Sequence, residues 1–542
     1  MRTQSSIGTK LTLSLWDTCP TQLHRAGLGG LWFVLKSLSS VKEKKINWKI
    51  SRDRDEITLY WECSDSEALT WLLSQAYRLT EEGIIKISAN GNLTTLEQIA
   101  IHKGITSVFY LQPRAIKSPG KTTITLDIDD KQIEVEYKPL EYYPHQDLRT
   151  LKPYKKEKLK PHIPIVSWLY PGGGNLHEAL GAKTKLEETP AGLIALAFAP
   201  IACSYYRVRS RLKQTKSLWA LIIPDVENLE KLANSRKQQE QVRYLDYFAS
   251  GISDASLKYL TALAGAKTTK DNAVSSCQVW VFGAVPWSKQ TPITAKQTVS
   301  IDSQIGRYYA LCHQKLPNGI KVGKNGTYID VSFGREIAAE NLVRGKPWYA
   351  DLHRILALST DYVKSLSWER LQLLNMKESA IEDNLMKPNA TLFSDVFTWI
   401  IRSLYGQVGS STQEGNIPNF DRVRTNLQMS IRSVKTQQQF VRWWTKLTSN
   451  PVCTFNPFLQ DVDLGEFHQW VKDNWEECLS LAALAIIAYK DPWKVERTQK
   501  ILSDKGFKIP KKYIDFPIDT DSDTTDDFDS SELETNDEVE TI

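Results

Sequence analysis

Ile165-Val166-Ser167-Trp168-Leu169-Tyr170-Pro171-Gly172-Gly173-Gly174-Asn175 opens the stretch that decides the fold, which runs on to Asp225. It holds three apolar runs, at 165–170, 193–206 and 218–223, the last stopped by Pro224. Short apolar runs bounded by Gly and Pro read as buried strands, so a sheet core is expected here. Two polar excursions leave it. Gly172, Gly173, Gly174 and Asn175 form a Gly-rich loop, where backbone can approach a ligand closely. The segment 207–216 is strongly basic, and on a strand Arg207, Arg209 and Arg211 would share one face.

Outward from this core, residues 11–15 and 57–61 predict strands, and 25–37 a Gly-opened loop entering a helix. Residues 66–79 fit a helix with Leu69, Leu72, Leu73 and Ala76 on one face. Residues 122–128 and 132–137 flank Asp129-Asp130, a hairpin signal. The aperiodic, Lys-rich 140–164 is a linker or a nucleic-acid-facing loop. Beyond the core, 226–263 reads as mostly helical, and 278–282 and 327–333 as strands. From about 336 strand signals stop. Helices are expected at 350–365, 391–405, 420–448, 464–489 and 493–503, a bundle. The fold class is therefore α+β: a mixed-sheet N-terminal domain (1–335), a helical bundle (336–512) and a disordered acidic tail (513–542).

The formal charge of +5 hides an asymmetry. Twelve acids and no base lie between Asp515 and Glu540, so with those twelve charges set aside the body carries +17. A body that basic implies a polyanionic partner. The seven Cys are scattered singly, without Cys-x-x-Cys, which suits a reducing cytoplasm. No apolar run reaches membrane-spanning length, and Met-Arg-Thr-Gln-Ser-Ser at the start lacks a signal-peptide core.

Catalytic signatures are missing. There is no His-Asp dipeptide and no Gly-x-Ser-x-Gly elbow. Gly319-Ile-Lys-Val-Gly323-Lys324-Asn325 differs from a phosphate loop in spacing and in its last residue. The eight His have no partners at metal spacing, so neither metal nor cofactor is expected. Basic clusters are what recur. Lys44, Lys45 and Asn47 stand beside Trp48, and Lys267 and Lys270 lie in a Gly-containing loop. Lysine and arginine neutralise phosphates, and Asn reads base edges. On a single helix over 420–448, Arg424, Arg432, Lys435, Arg442 and Lys446 fall in a sector about 80° wide at ~100° per residue. Leu427, Ile431, Val434 and Val441 lie beside it, and Asp421 is the one acid of the segment, so a positive track for single-stranded nucleic acid is expected.

The order of these residues carries a resemblance. Leu15-Trp16-Asp17, then His24-Arg25-Ala26-Gly27-Leu28-Gly29-Gly30-Leu31, then Trp168 to Gly173, His177, Ala195 to Cys203 and Ala220 to Asp225 are similar to the large subunit of type I CRISPR interference complexes. Within that group the pattern resembles the Myxan-type, I-B-like branch of the Cas-eight family. The resemblance spans the first two-thirds of the chain. It implies a non-catalytic Cascade subunit that recognises the protospacer-adjacent motif in double-stranded DNA, promotes R-loop formation and recruits downstream effectors. The implied partners are guide RNA, target duplex and displaced strand, the backbone, guide-capping and guide-processing subunits, and helicase-nuclease or transposition proteins. It also implies a small subunit translated internally. Met386 is the expected start, with Met376 as runner-up, because Glu382-Asp383 can be encoded as a purine-rich ribosome-binding sequence. Two other readings stay open on the residues alone: a nuclease with a dispersed acidic site, and a nucleic-acid-binding scaffold outside CRISPR.

Overall fold

The computed structural model describes residues 8–87, 89, 93–111, 116–128, 131–171, 186–212, 218–237, 243–264, 274–283, 293–323, 326–412, 418–453, 456–460, 462–489 and 503–504. The expected acidic tail lies outside them, as does the helix at 493–503 apart from Ser503. The chain forms two compact units, one from residues up to 310 with 318–331, the other from 311–317 with the residues from 332 on.

In the first unit β1 (Thr9–Ser14), β2 (Asn47–Ile50) and β3 (Glu56–Trp61) make an antiparallel sheet in the order β1-β3-β2. Period-2 alternation puts Leu13, Ile57, Leu59 and Trp61 inward, each at most 2% exposed. Helix α1 (Gln22–Ser37) starts at a Thr21 cap, where a Gly-opened loop was expected. Its glycines serve packing. A Cβ on Gly27 would stand 1.8 Å from Ala195 O, and one on Gly30 2.2 Å from Phe198 O. Helix α2 (Asp65–Ala76) buries Leu69, Leu72, Leu73 and Ala76 as expected. Then come the hairpin β4 (Tyr77–Leu79) and β5 (Ile85–Ile87), α3 (Thr95–Val108), the expected hairpin β6 (Thr122–Ile128) and β7 (Lys131–Tyr137), and the short pairs β8 (Tyr154–Lys155) with β9 (Lys158–Leu159) and β10 (Ile163–Pro164) with β11 (Glu187–Glu188).

The deciding stretch contains one strand from the third apolar run, one from the end of the second, and none from the first. Residues 190–202 form a helix, α4 (Pro190–Ala202), where a strand was expected. Thirteen residues exceed a typical buried strand, Ala favours helix, Pro190 suits the first turn, and Thr189 caps Gly192 N–H. Only then does β12 (Ser204–Val208) begin. It joins β13 (Leu218–Pro224), β14 (Phe248–Ala249), β15 (Ser276–Phe282) and β16 (Ile293–Ser300) in a mixed sheet ordered β14-β12-β13-β15-β16, with β12 and β14 parallel. Helices α5 (Leu229–Lys237) and α6 (Ile252–Ala264) supply part of the helical character expected over 226–263, and β14 interrupts it. Tyr205 meets Gly104 of α3, and the ring of Tyr206 lies 5.9 Å from Lys258 Nζ of α6, so alternation places α3 and α6 on opposite faces of the sheet. Helix α7 (Ser303–Lys315) carries the chain into the second unit, and the hairpin β17 (Gly319–Gly323) and β18 (Gly326–Asp330) belongs to the first. The strand expected to reach 333 ends at Asp330, because Ser332 caps the next helix.

The second unit is helical: α8 (Phe333–Val343), α9 (Leu352–Leu358), α10 (Thr360–Trp368), α11 (Arg370–Glu382), α12 (Pro388–Ser411), α13 (Phe420–Ser433), α14 (Gln437–Thr448), α15 (Leu464–Asp473) and α16 (Trp475–Ala488). Its axis is α16, apolar nearly all round and buried from Cys478 to Ala488. Helices α9 to α13 and α15 pack around it. The Glu369 carboxylate accepts Phe333 N–H at 2.7 Å and Gly334 N–H at 2.8 Å, which caps α8. Three helices expected to be continuous are broken. Residues 350–365 divide at Ser359, whose backbone is extended and whose side chain caps α10. Residues 420–448 divide at Val434, whose backbone is extended, and Thr436 caps α14. Residues 464–489 divide at Asn474. Among the described residues no helix is long and apolar enough to cross a membrane.

Candidate nucleic-acid interface

Asn47 opens β2, an edge strand, and Lys44 and Lys45 lie just before it. Lys44 Nζ donates to Ser39 O at 2.8 Å and stands 4.8 Å from the Trp48 ring centre. Lys45 Nζ lies 2.5 Å from Glu67 Oε1, and that hydrogen bond raises the lysine pKa. Both ends of the pair are about half exposed, so it is labile to salt and to a competing phosphate. Asn47 is exposed and faces Tyr60 across the sheet.

Gly172, Gly173, Gly174 and Asn175 lie outside the described residues, as does His177. The ground they spring from is described. Residues 165–171 form turns, not the expected strand, because Val166 O accepts both Leu169 N–H and Tyr170 N–H. The far end of the excursion is tied back by the pairing of β10 with β11 and by Ile165 N–H to Leu186 O at 3.0 Å. His24 anchors this base. Its Nε2 is 3.1 Å from Glu188 Oε1, its Nδ1 is 2.7 Å from Thr21 Oγ1, and its ring is 6.2 Å from Tyr170. Tyr170 in turn meets Trp280 at 6.0 Å, and Lys296 Nζ stands 4.3 Å over Trp280, its pKa lowered by burial. Next to His24 on α1, Arg25 is held by Asp225 at 2.8 Å and stacks at 5.5 Å on Trp16, which is 55% exposed. Composition gave no reason to select Trp280 or Lys296. They converge through strand pairing, a long-range event with no local signal.

The basic excursion is not a one-faced arginine ladder. The strand ends at Val208, so alternation covers Arg207 alone. Arg207 enters a crevice with Ala100, Lys103, Trp219, Tyr244, Tyr247 and Phe248, whose free space is about that of one water. Burial pushes the Tyr244 hydroxyl up to about 12, against the opposing charge of Arg207. Arg209 is exposed, and its N–H donates to Ala249 O at 3.0 Å. Arg211 pairs with Asp330, which also takes Lys321 at 2.8 Å. Lys267 and Lys270 lie outside the described residues.

In the second unit the break at Val434 resets the helical phase, so the single 80° sector does not form. Arg424 and Arg432 are half-buried on α13. Arg424 reaches Tyr489 O at 3.4 Å, and Arg432 Nε is buried without a hydrogen-bond partner among the described residues. Lys435 is exposed in the joint. Arg442 and Lys446 are exposed one turn apart on α14, on the side away from buried Phe440 and Trp444. What remains of the track is Lys435, Arg442 and Lys446, fixed from behind by Trp444 against Phe393 at 4.9 Å and by Trp443 Nε1 on Ser430 Oγ at 3.0 Å.

Two comparisons bear on this arrangement. Residues 12–197 match the DevT N-terminal domain family. The chain is 24% identical over 369 residues to the CRISPR-associated protein Cas8a1/Csx13 of Myxococcus xanthus (strain DK1622), covering 63% of this chain. The chain spans 63% of the length of that curated relative. The similarity to the Cas-eight family of type I CRISPR large subunits, read first from the order of residues, is shown by this match. The matched span 12–197 contains the whole of α1, the first part of α4 as far as Ala197, and the base of the Gly-rich excursion.

Proposed function

We propose that the chain is the non-catalytic large subunit of an RNA-guided type I CRISPR DNA surveillance complex, of the I-B-like branch, working in the cytoplasm. The observation that carries this is the similarity to Cas8a1/Csx13 over 369 residues. In this reading guide pairing reads the target, while protein reads the short flanking motif and manages the displaced strand. The Gly-rich excursion anchored at His24 and the Lys44–Lys45–Asn47 edge face the motif-bearing duplex and promote its opening. Arg207, Arg209 and Arg211 serve guide RNA or DNA backbone. Lys435, Arg442 and Lys446 hold the displaced strand. Guide-capping, guide-processing and backbone subunits are its assembly partners. A helicase-nuclease or a transposition machinery is its downstream one.

The test is reconstitution with a guide RNA and the complex's other subunits. Omission of the chain should abolish binding of a matched duplex bearing the flanking motif. Arg442→Ala with Lys446→Ala should weaken that binding and lower the log–log salt slope by about 1.4, at ~0.7 per single-strand phosphate contact. Motif-dependent binding that persists without the chain refutes the reading. An unchanged salt slope removes α14 from it.

A further inference from the structure

The β1-β3-β2 sheet has a second face that the core does not use. Leu13, Ile57, Leu59 and Trp61 take the inner face. Alternation therefore sends Lys10, Thr12, Asn47, Lys49, Thr58 and Tyr60 outward. Register brings them together: Lys10 and Asn47 both stand opposite Tyr60, and Thr12 and Lys49 both stand opposite Thr58. Lys10, Asn47 and Lys49 are exposed, and Tyr60 is half-buried with its ring at the centre of the group. The ammonium groups of Lys10 and Lys49 lie 6.0 and 5.9 Å from the ring centre. That is the outer limit of a cation–π contact, so the ring's attraction leaves both lysines available to an anion. Thr12 and Thr58 share a hydroxyl contact of 3.2 Å, which stiffens the strands beneath.

We infer that this face is a stacking platform for one unpaired nucleotide of a single strand, with Tyr60 under the base and Lys10 and Lys49 on the flanking phosphates. An aromatic ring stacks on any base, lysines to either side follow a backbone, and the Asn47 amide can both donate and accept at a base edge. The charge is complementary to a phosphodiester: the one acid within the three strands, Glu56, lies four residues from Tyr60 along β3, opposite Ser14. A protein partner fits less well. Interface centres are depleted in lysine and rich in apolar area, and here the apolar area is one ring and two threonine methyls. The inference deepens the proposed function, since it assigns the Asn47 edge to an unpaired strand, yet it needs only that the chain bind nucleic acid.

The experiment uses the full chain with labelled ten-nucleotide oligo-U and oligo-dT, read by fluorescence anisotropy at several salt concentrations. Tyr60→Ala should weaken binding roughly 5- to 150-fold, as loss of one stacked base does. Tyr60→Phe should bind within about twofold of the parent, because the stacking face is kept. Lys10→Ala with Lys49→Ala should lower the salt slope by about 1.4. A preference for oligo-U identifies guide RNA as the source of the strand, and a preference for oligo-dT identifies displaced DNA. Affinity unchanged in Tyr60→Ala, or no binding of either oligonucleotide by the parent, overturns the platform. Neither result touches assembly of the guide-loaded complex, which is scored separately by co-purification.

Discussion

Replacement of single helical glycines by alanine gives a sharp test of how the first unit is held together. Alanine is worth about 1 kcal/mol over glycine in a helix interior, so with no steric cost every such change should stabilise. At Gly27 the new Cβ would lie 1.8 Å from Ala195 O and 2.6 Å from its carbonyl carbon. Backbone cannot rotate aside as a side chain can. Helices α1 and α4 must part by more than 1 Å to restore contact, at about 3.4 Å. Overpacking of this kind costs about 1–3 kcal/mol and sometimes more, and the parting also forfeits dispersion contacts along two fully buried faces. The cost exceeds the propensity gain, and Gly27→Ala should destabilise the first unit by about 2 kcal/mol. Gly30→Ala, with Phe198 O at 2.2 Å, should do nearly as much.

Gly29 is the internal control. Its Cβ would meet the Leu232 Cδ2 methyl at 2.6 Å, the end of a side chain that can change rotamer, so the net effect should stay within about 1 kcal/mol. Gly406 and Gly409 of α12 have nothing within 4 Å of a built Cβ, and alanine there should stabilise by about 0.4–1 kcal/mol each. Scanning calorimetry of the five variants reads the order directly. A loss of 2 kcal/mol lowers the transition by about 3 °C at the size of the first unit. If Gly27→Ala and Gly406→Ala move their transitions in the same direction, the close helix crossing is not what these glycines are for.

Acid should weaken the first unit before carboxylates titrate. Burial lowers the His102 pKa to about 4 and the His145 pKa to about 3, so the fold holds both neutral while the unfolded chain protonates near 6.5; stability is full above pH 6.5 and falls by up to ~1.4 kcal/mol per pH unit per histidine down to about pH 4. His102→Gln, which can still accept from Ile85 N–H and donate to Lys138 O, should flatten the slope of melting temperature against pH; an unaltered slope between pH 6.5 and 4 refutes the assignment. An internal start at Met386 would give a 157-residue product that keeps α12 to α16 but lacks α9, α10 and α11, which cover α16. Intact-mass analysis should find it bound within the purified complex and not as a free monomer. Its absence there, with no effect of silently recoding Glu382-Asp383, ends the idea.

The fold class was legible because both periodicities are strong where they matter. Leu69, Leu72, Leu73 and Ala76 mark a helix face, and all four are buried; residues 218–223 mark a central strand, and β13 is one. Three misreadings have one cause, a local pattern that two structures satisfy. Residues 193–202 are apolar throughout, so periodicity could not separate helix from strand; length and alanine content decide for the helix. The glycines of 25–37 suggested a loop, but glycine is used there for the approach of α4, and the partner lies about 165 residues away in sequence. Residues 420–448 are helical on both sides of an extended Val434, and nothing but the Thr436 cap signals the break.

Charge was easier to find in the sequence than its disposition. Lysines 44 and 45 were conspicuous, yet one is bound to a backbone carbonyl and the other to Glu67. Arg211 looked like the third rung of a ladder and is instead paired with Asp330, 119 residues on. Tyr60 gave no signal at all, being one aromatic in an ordinary strand. Its setting exists only in register, because Lys10 and Asn47 come opposite it from strands 37 residues apart in the chain, and a slip of one residue would turn the ring into the core and Leu59 out to solvent. The inner face forbids that slip, since Ile57, Leu59 and Trp61 are at most 2% exposed. The same burial that fixes the fold therefore fixes which residues stand together on the open side. A cluster of this kind can be inferred from sequence only after the strand pairing is known.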